Sequence, residues 1–378
     1  MDISFSEEQE ILRGYARKFL LNECTYSYIK KMWADDKGFT EEIWNKIGEL
    51  GWLGLRIPEE YDGVGLGFVS LAILFEETGR VALPGPLLST VLATEALVCA
   101  GSSEQKKNYL PRIASGEMKA TLAIGEKNFR DIASDIHLSA TRDGSDFILN
   151  GTKLFVLDAH VSELMVVVAR TGTAENREEG ITLFLVDQDV HGVTRQLLKS
   201  MDEGRKQCMV VFDHVRIPAS KILGSADRGW NVIKDIYNKA AVLLSMEAVG
   251  GGQKLLDLAV DYAKIRVQFG QPIGSYQAIK HKCATILQEV EGARSIAYYA
   301  AWTLDQGGRE ADIASSTAKA YSCDMYRAAS NDAIQIFGAI GFTWEHEMHA
   351  YMKRAKMNEF LFGSPSFHRE RLATLLEY

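Results

Sequence analysis

The hydrophobic periodicity of this sequence changes twice along the chain, and these changes constrain the fold more than any other feature. Apolar residues recur at helical spacing over residues 1–118, at a spacing close to two over residues 119–225, and at helical spacing again over residues 226–378. Six or more short strands within about one hundred residues favour a small barrel or sandwich. The sequence therefore predicts a mainly α chain with a central β-domain, divided into three domains at these boundaries.

The first region contains specific helix-start signals. Ser6 followed by Gln9 predicts a capping box, and Thr40 followed by two glutamates predicts a second helix start, because carboxylates suit the positive end of the helix dipole. After a glycine-rich loop at residues 58–67, further helices are predicted at residues 68–78, 87–100 and 105–113.

The two later regions are also punctuated by turn and break signals. Asp143-Gly144 predicts a hairpin turn, and Asn150-Gly151 predicts a second turn. The predicted strands include residues 147–149, 164–169, 181–186 and 209–212. After Gly229 a helical pattern persists to the end, with breaks near residues 270–272, 306–308 and 338–341. These breaks predict four long helices in the C-terminal region.

Charge and composition exclude several classes of protein. The 42 lysines and arginines against 50 aspartates and glutamates give a net charge of −8, and no basic run offers the face that a nucleic-acid backbone needs. The longest nearly pure apolar runs, such as residues 164–169, are far shorter than the roughly 18 residues of a membrane helix. Residues 1–8 lack a secretory pattern, and the 5 dispersed cysteines fit a reducing compartment. We therefore expect a cytoplasmic protein without membrane insertion or nucleic-acid partners.

Two short motifs resemble known sites but lack the context that those sites require. Residues 63–67 (GVGLG) resemble a phosphate-binding loop, yet a dinucleotide fingerprint needs a βαβ unit and this segment lies among helices. Residues 346–349 (HEMH) suggest a metal site, but the histidines are spaced i, i+3 and no third ligand is in view. We interpret the first as an interhelical loop and the second as a surface ion-pair cluster, and we predict no metal site.

Two segments of the C-terminal region carry a resemblance to a known family. Residues 266–273 (RVQFGQPI), followed by Gln277, resemble the signature R-x-Q-F-G-x-P-I…Q of the acyl-CoA dehydrogenases, and residues 335–342 (QIFGAIGF) resemble their second signature, Q-x-F-G-G-x-G-F. In the middle region, residues 150–155 (NGTKLF) and 215–218 (VRIP) parallel the family's N-G-x-K-x-W and V-x-V-P segments. The resemblance covers essentially the whole chain. It implies an N-terminal α domain, a middle β-barrel and a C-terminal four-helix bundle.

The resemblance also implies FAD as cofactor, bound between the barrel of one subunit and the helical bundle of its neighbour. The arginine of the first signature would neutralise the pyrophosphate, since a planar guanidinium matches phosphate oxygens. The phenylalanine would form an apolar wall, and the second signature would let backbone N–H groups approach the dinucleotide. The residues assigned to FAD in this way are Arg266, Gln268, Phe269, Gln277, Gln335, Gly338 and Ala339.

The family's catalytic base has no counterpart in this sequence. Acyl-CoA dehydrogenases remove the substrate's α-proton with a glutamate while FAD takes the β-hydride. The usual base position is Phe362 here, and the alternative position on the first bundle helix is Ala240, followed by Ala241 where the family often has arginine. Neither phenylalanine nor alanine accepts a proton, so no catalytic residue is assigned.

The segments that would contact the flavin also depart from the family pattern. The T-E-P segment, whose threonine hydrogen-bonds the isoalloxazine, reads Ile124-Gly125-Glu126-Lys127, and the W-I-T strand reads Phe155-Val156-Leu157. Residues 342–349 and 361–363 resemble the smaller subunits of heteromeric α2β2 acyl-CoA dehydrogenases of bacterial steroid side-chain and dicarboxylate degradation. In those enzymes one subunit supplies the base and flavin pocket, and the other completes the FAD site.

The resemblance therefore favours a base-less subunit of a heteromer that α,β-desaturates an acyl-CoA and passes electrons to an electron-transfer flavoprotein. Two alternatives remain open. One is a self-sufficient homo-oligomer that uses a displaced carboxylate, for which Glu247 is the best candidate because it lies two turns beyond Ala240 on one helix face; a buried structural role is the other interpretation of this residue. The second is a non-catalytic acyl-CoA-binding scaffold. The apolar succession at residues 297–302 further predicts burial of this helix in an intersubunit bundle.

Overall fold

The computed structural model describes residues 5–127, 130, 132–172 and 175–377. The chain divides into two compact units. The helical unit comprises Met1–Lys31, Gly67–Leu83 and Asn238–Tyr378, and the sheet unit comprises Met32–Leu66 and Pro84–Tyr237. The prediction that residues 1–8 lack a secretory pattern falls partly on residues 1–4, which lie outside the described residues.

The helices follow the predicted periodicity closely. In chain order they are α1 (Glu7–Glu23), α2 (Tyr26–Ala34), α3 (Glu41–Glu49), α4 (Phe68–Arg80), α5 (Leu87–Ala100), α6 (Ser103–Ala114), α7 (Gly229–Ile265), α8 (Gln277–Gln306), α9 (Arg309–Phe337), α10 (Met348–Phe360) and α11 (Pro365–Leu375). Ser6 and Gln9 form the predicted capping box, and the Thr40 hydroxyl accepts from the Ile43 amide. The last of the four predicted C-terminal helices is divided into the two shorter helices α10 and α11.

The middle region forms the predicted sheet. Its strands are β1 (Ala120–Ala123), β2 (Ser139–Asp143), β3 (Asp146–Leu157), β4 (Leu164–Arg170), β5 (Ile181–Asp187), β6 (Val193–Leu198), β7 (Gln207–Pro218) and β8 (Ile222–Leu223). They are ordered β6-β7-β3-β2-β4-β5-β8, and β1 pairs in parallel with β4. Buried apolar side chains of β3, β4, β5 and β7 form the core of the sheet. The mainly helical fold with a central sheet is thereby confirmed.

The predicted turn at residues 150–151 is wrong. Strand β3 continues through this dipeptide, and the ladder with β7 shifts register between Leu149 and Gly151. Strand β7 carries one extra residue there, next to His214 at φ 51°, whose amide donates to the Asn150 side chain at 2.8 Å. Asn-Gly is typical of turns, but here the pair lies opposite a bulge: Gly151 adopts a φ of 141°, which glycine tolerates, and the Asn150 side chain binds the bulged strand.

A second register shift, between Lys153 and Val156, has the opposite sense. Here β3 carries one residue more than β7, and Phe155 lies at this point with a φ of 57°. Beyond it the pairing returns to the register held before residue 150. The second shift therefore cancels the first, and it turns Phe155 out of the regular alternation of the strand.

The described residues contain neither a membrane-spanning helix nor a cluster of metal-binding side chains. No helix in the described part of the chain is long and apolar enough to span a bilayer. Among the same residues, no group of three or more His, Cys, Asp or Glu side chains is arranged to hold a metal ion.

Candidate functional site

The first signature segment folds into a tight hairpin directly after α7. Strand β9 (Val267–Gln268) pairs antiparallel with β10 (Gln271–Pro272), and the two turn residues, Phe269 and Gly270, have φ values of 52° and 84°. A two-residue hairpin with positive φ at both central positions is a type I′ turn, which suits glycine but strains phenylalanine. Phe269 is nevertheless 93% exposed in this turn. Such an exposed, strained aromatic side chain is available to a ligand or a partner chain.

Arg266 lies at the base of the hairpin. Its amide donates to the Tyr262 carbonyl at 2.9 Å, and its carbonyl accepts from the Ile273 amide at 2.8 Å, so both backbone groups are fixed. Its side chain is exposed, and among the residues that the structure describes the guanidinium has no carboxylate or carbonyl partner. Because its backbone is fixed and its guanidinium has no partner among the described residues, which we call uncommitted below, Arg266 is suited to bind a phosphate group of a ligand.

The second signature segment begins where α9 ends. Gln335, Gly338 and Ala339 are exposed, and Gly338 has a φ of 66°. A Cβ on Gly338 would meet nothing within 4 Å, so the backbone angle, not lack of space, favours glycine here. The Gly338 amide donates to the Ile334 carbonyl as the helix cap and is thus already engaged.

An aromatic contact connects the first and second signature segments. The rings of Tyr262 on α7 and Phe337 on α9 stack with centroids 4.2 Å apart and planes 15° apart. Tyr262 lies one turn before Arg266, and Phe337 immediately precedes Gly338. The structure therefore brings the two signatures together, although they are far apart in sequence. We call residues 266–273 and 335–342 together the clamp.

An open cavity of about 490 Å³ adjoins the hairpin. Its walls are mainly apolar, and Lys264 and Lys280 lie among its lining residues. Gln277, the remaining predicted residue of the first signature, is exposed at the start of α8, one helical turn before Lys280. Lys264 pairs with Asp261 at 3.3 Å, whereas Lys280 and Arg266 have no carboxylate partner among the described residues. These two cations favour an anionic ligand at this end of the helical unit.

The position of the family's base offers no proton acceptor. Phe362 has a φ of 53°, and the His368 Nε2–H donates to its carbonyl oxygen at 3.0 Å. Ala240 and Ala241 are fully buried on α7. Burial lowers the pKa of His368 to about 3, and the nearby Lys319 ammonium adds to this shift. His368 is therefore neutral and holds the backbone at Phe362.

Glu247, the candidate for a displaced base, is engaged in a buried ion pair. Arg354 Nη1 donates to Glu247 Oε1 at 2.5 Å, and Asn358 Nδ2 donates to Glu247 Oε2 at 3.2 Å. Arg354 also donates to the carbonyls of Leu83 at 3.2 Å and Ala82 at 3.3 Å. Sequence reasoning missed Arg354 and Asn358; their i, i+4 spacing, which places both on one face of α10, was the available signal.

The sheet unit presents the segments that correspond to the flavin contacts. Phe155 is 59% exposed on its bulge, whereas Leu157 is buried and its carbonyl accepts from the Thr121 hydroxyl. Glu126 is buried and accepts from Lys153 Nζ at 2.6 Å and from the amides of residues 137 and 138. Burial lowers the pKa of Lys153 to about 8, and the Glu126 carboxylate opposes this shift. This ion pair supports the sheet, and Gly125 and Leu157 themselves carry no side-chain hydroxyl.

The residues present fit one part of an FAD site. The exposed side chains of Arg266 and Gln335 carry N–H donors suited to a pyrophosphate and its flanking groups, and the exposed Phe269 ring offers an apolar surface beside Arg266. The sheet unit offers an exposed aromatic ring at Phe155 but apolar side chains where a flavin-binding hydroxyl is expected. The clamp is thus better preserved than the flavin contacts.

Comparisons with known proteins agree with this geometry. The family models for the acyl-CoA dehydrogenase N-terminal, middle and C-terminal domains match residues 6–117, 121–215 and 227–376. An acyl-CoA dehydrogenase of Bacillus subtilis (strain 168) is 29% identical over 372 residues, which are 96% of each chain.

Two solved structures are similar over nearly the whole chain. A structure described as the electron transferring flavoprotein of Acidaminococcus fermentans has a TM-score of 0.92 and 26% identity, and covers 100% of this chain and 99% of its own. A variant of the Tcur3481-Tcur3483 steroid ACAD has a TM-score of 0.88 and 27% identity, with 98% of each chain covered. With all three domain models matched in order, the chain belongs to the acyl-CoA dehydrogenase family, whose cofactor is FAD.

Proposed function

We propose that this chain is the base-less subunit of a heteromeric acyl-CoA dehydrogenase and completes the FAD site of a homologous partner. The carrying observation is the contrast between the uncommitted Arg266 and the aromatic residue at position 362. The clamp offers contacts to a dinucleotide, whereas the position of the base offers only an apolar ring. The substrate class is an acyl-CoA thioester, which is desaturated between its α and β carbons.

In this proposal each residue has a defined task. FAD, when bound, supplies the hydride acceptor of the desaturation. Arg266 binds and orients the pyrophosphate, Phe269 excludes water from it, and Gln268, Gln277, Gln335, Gly338 and Ala339 complete the surface that the dinucleotide contacts. The α-proton is removed by a carboxylate of the partner subunit, because neither Phe362 nor the paired Glu247 is available for it.

The electron acceptor and assembly follow from the same reasoning. The similar structure from Acidaminococcus fermentans is described as an electron transferring flavoprotein, which supports such a protein as the acceptor of the electrons. The similar steroid ACAD carries two protein names, which supports an assembly of two different chains. The composition of the sequence favours a cytoplasmic location.

The two alternatives make different demands on the chain. A self-sufficient homo-oligomer needs a free carboxylate near the substrate, and the buried pairing of Glu247 with Arg354 argues against that residue. A non-catalytic scaffold that binds acyl-CoA needs neither FAD nor a base, and the uncommitted clamp argues against it.

Flavin content and turnover distinguish the three possibilities. The full chain is produced alone and together with a candidate partner, a homologous acyl-CoA dehydrogenase subunit from the same organism, and bound FAD and acyl-CoA-dependent dye reduction are measured for both. We expect stoichiometric FAD and turnover only in the co-produced complex. Turnover by the chain alone would contradict the base-less proposal, and a complex that binds acyl-CoA but no FAD would support the scaffold. A thermal-shift screen of acyl-CoAs on the FAD-loaded complex would then identify the acyl group.

A further inference from the structure

Three aromatic rings join the two halves of the clamp. The Tyr262 and Phe337 rings stack with centroids 4.2 Å apart. The His346 ring also contacts Phe337, with centroids 4.5 Å apart and planes tilted by 52°. Phe337 is buried, while Tyr262 and His346 are half-buried. We call these three side chains the ring stack.

Each ring is attached to a segment that the proposed function uses or borders. The Tyr262 carbonyl accepts from the Arg266 amide, so a shift of Tyr262 moves the base of the hairpin. Phe337 is the last residue of α9 and is followed by Gly338. His346 Nδ1 accepts from the Met348 amide at 3.3 Å and thereby fixes the start of α10.

We propose that Tyr262, Phe337 and His346 are positioning residues that hold the hairpin at residues 266–273 and the turn at residues 335–342 in the one geometry that binds FAD. The inference rests on the proposed function, since it assigns a task to the same clamp. None of the three residues needs to touch FAD; they act through Arg266 and Gly338. Stacked and tilted aromatic pairs favour fixed relative positions beyond what burial of area alone provides.

Histidine makes this arrangement sensitive to pH. The Met348 amide donates to His346 Nδ1, so the ring is the neutral tautomer with its proton on Nε2. Protonation of Nδ1 would remove that acceptor and place a charge against Phe337. Burial lowers the pKa of His346; Glu347, next in the chain, opposes the shift, and Lys254 on α7 adds to it. His349, on α10, also faces His346. Glu347 in turn pairs with Lys254 at 3.3 Å.

The test compares FAD affinity across matched variants of the full FAD-binding assembly. His346→Ala removes one ring of the stack, and His346→Phe keeps a ring but removes the titration. Tyr15→Ala is the control, because Tyr15 is an exposed aromatic residue of α1, outside the clamp. The FAD dissociation constant is measured by flavin fluorescence at intervals from pH 7.5 to 4.5, together with the melting temperature of the cofactor-free protein.

We expect His346→Ala to raise the FAD dissociation constant about 3- to 10-fold at pH 7.5, whereas His346→Phe and Tyr15→Ala stay within about 2-fold of the wild type. Because burial lowers the pKa of His346, the wild type should lose affinity toward the acid end of this pH range, and His346→Phe should lose less. Unchanged FAD affinity in His346→Ala, with or without a lower melting temperature, would overturn the inference. If His346→Ala binds FAD normally but Arg266→Ala binds it weakly in the same assay, only the positioning role of His346 is refuted, and the proposed function still holds. If Arg266→Ala also binds FAD normally, the proposed function itself is refuted.

Discussion

The Arg354 guanidinium lies 2.5 Å from the Glu247 carboxylate, and both side chains are 2% exposed. Glu247 lies on α7, and Arg354 lies on α10, 107 positions later in the sequence. The contacts with Arg354 and Asn358 hold the carboxylate in place, so it is poorly suited to approach a substrate carbon. This pairing favours a structural role of Glu247 within the helical unit.

Glu247→Ala should lower the free energy of unfolding by about 3–5 kcal/mol, because it leaves the Arg354 charge buried without a carboxylate. Urea unfolding of the full chain at pH 7 measures this loss. The double variant Glu247→Leu/Arg354→Met should recover most of it, since neither charge remains. A folded Glu247→Gln complex that binds FAD but has lost all turnover would contradict the structural role.

Arg266→Ala should weaken FAD binding by roughly one to two orders of magnitude, because a charge-assisted contact to phosphate contributes about 1.5–3 kcal/mol. The exposed guanidinium has no partner among the described residues, so the free energy of unfolding should change by less than about 0.5 kcal/mol. Flavin content after dialysis and a denaturant titration measure the two quantities. Lys18→Ala, which removes an exposed cation from α1, is the control. Full retention of FAD by the Arg266→Ala complex would refute the shared clamp.

Phe362→Glu should not create turnover in the chain alone. The substitution supplies a carboxylate at the position of the family's base, but Gly125 and the buried Leu157 still lack the hydroxyls that would orient the flavin. Dye-coupled assays of this variant, alone and with the partner, test the expectation. Robust activity of Phe362→Glu alone would mean that the sheet unit binds a productive flavin without those hydroxyls.

Acid should destabilise the protein in part through His368. The pKa of this residue is lowered to about 3 by burial, whereas it is about 6.5 in an unfolded chain. The unfolded state therefore binds more protons as the pH falls below 6.5, and stability is lost at up to about 1.4 kcal/mol per pH unit down to the folded pKa. Unfolding free energies at pH 7 and 5 should differ by roughly 2 kcal/mol more in the wild type than in His368→Gln. Equal losses in both proteins would exclude this role of His368.

The full chain should not be a monomer in solution at micromolar concentration. The helical unit leaves several large apolar side chains exposed, namely Phe269, Tyr299, Trp302, Phe342, Trp344 and Phe360. Within the apolar succession at residues 297–302, the chain itself already buries four residues, namely Ala297, Tyr298, Ala300 and Ala301. Only the exposed Tyr299 and Trp302 of this segment are therefore available to contact another subunit. Sedimentation velocity should show a dimer or a larger species. A single monomeric boundary would contradict this expectation.

Local signals predicted most of the fold, and non-local contacts account for what was missed. The bounds of α5 and the capping box at Ser6 were predictable because apolar spacing and a cap act within a few residues. The pairing of Glu247 with Arg354 and the stacking of Tyr262 on Phe337 were not, because nothing local specifies which distant helix each residue meets. At Asn150-Gly151 the local signal was real but ambiguous between a turn and a bulge.

The two register shifts of β3 and β7 have a consequence for how this strand pair can change. The extra residue beside His214 and the extra residue beside Phe155 compensate each other, so the strands leave the bulged stretch in the register in which they entered it. Deletion of either residue alone would slip the following pairs by one position and reverse which side chains face the core. The orientation of Phe155 therefore depends on the extra residue in the neighbouring strand. An aromatic residue aligned with Phe155 in a related sequence would point the same way only if both extra residues are present there.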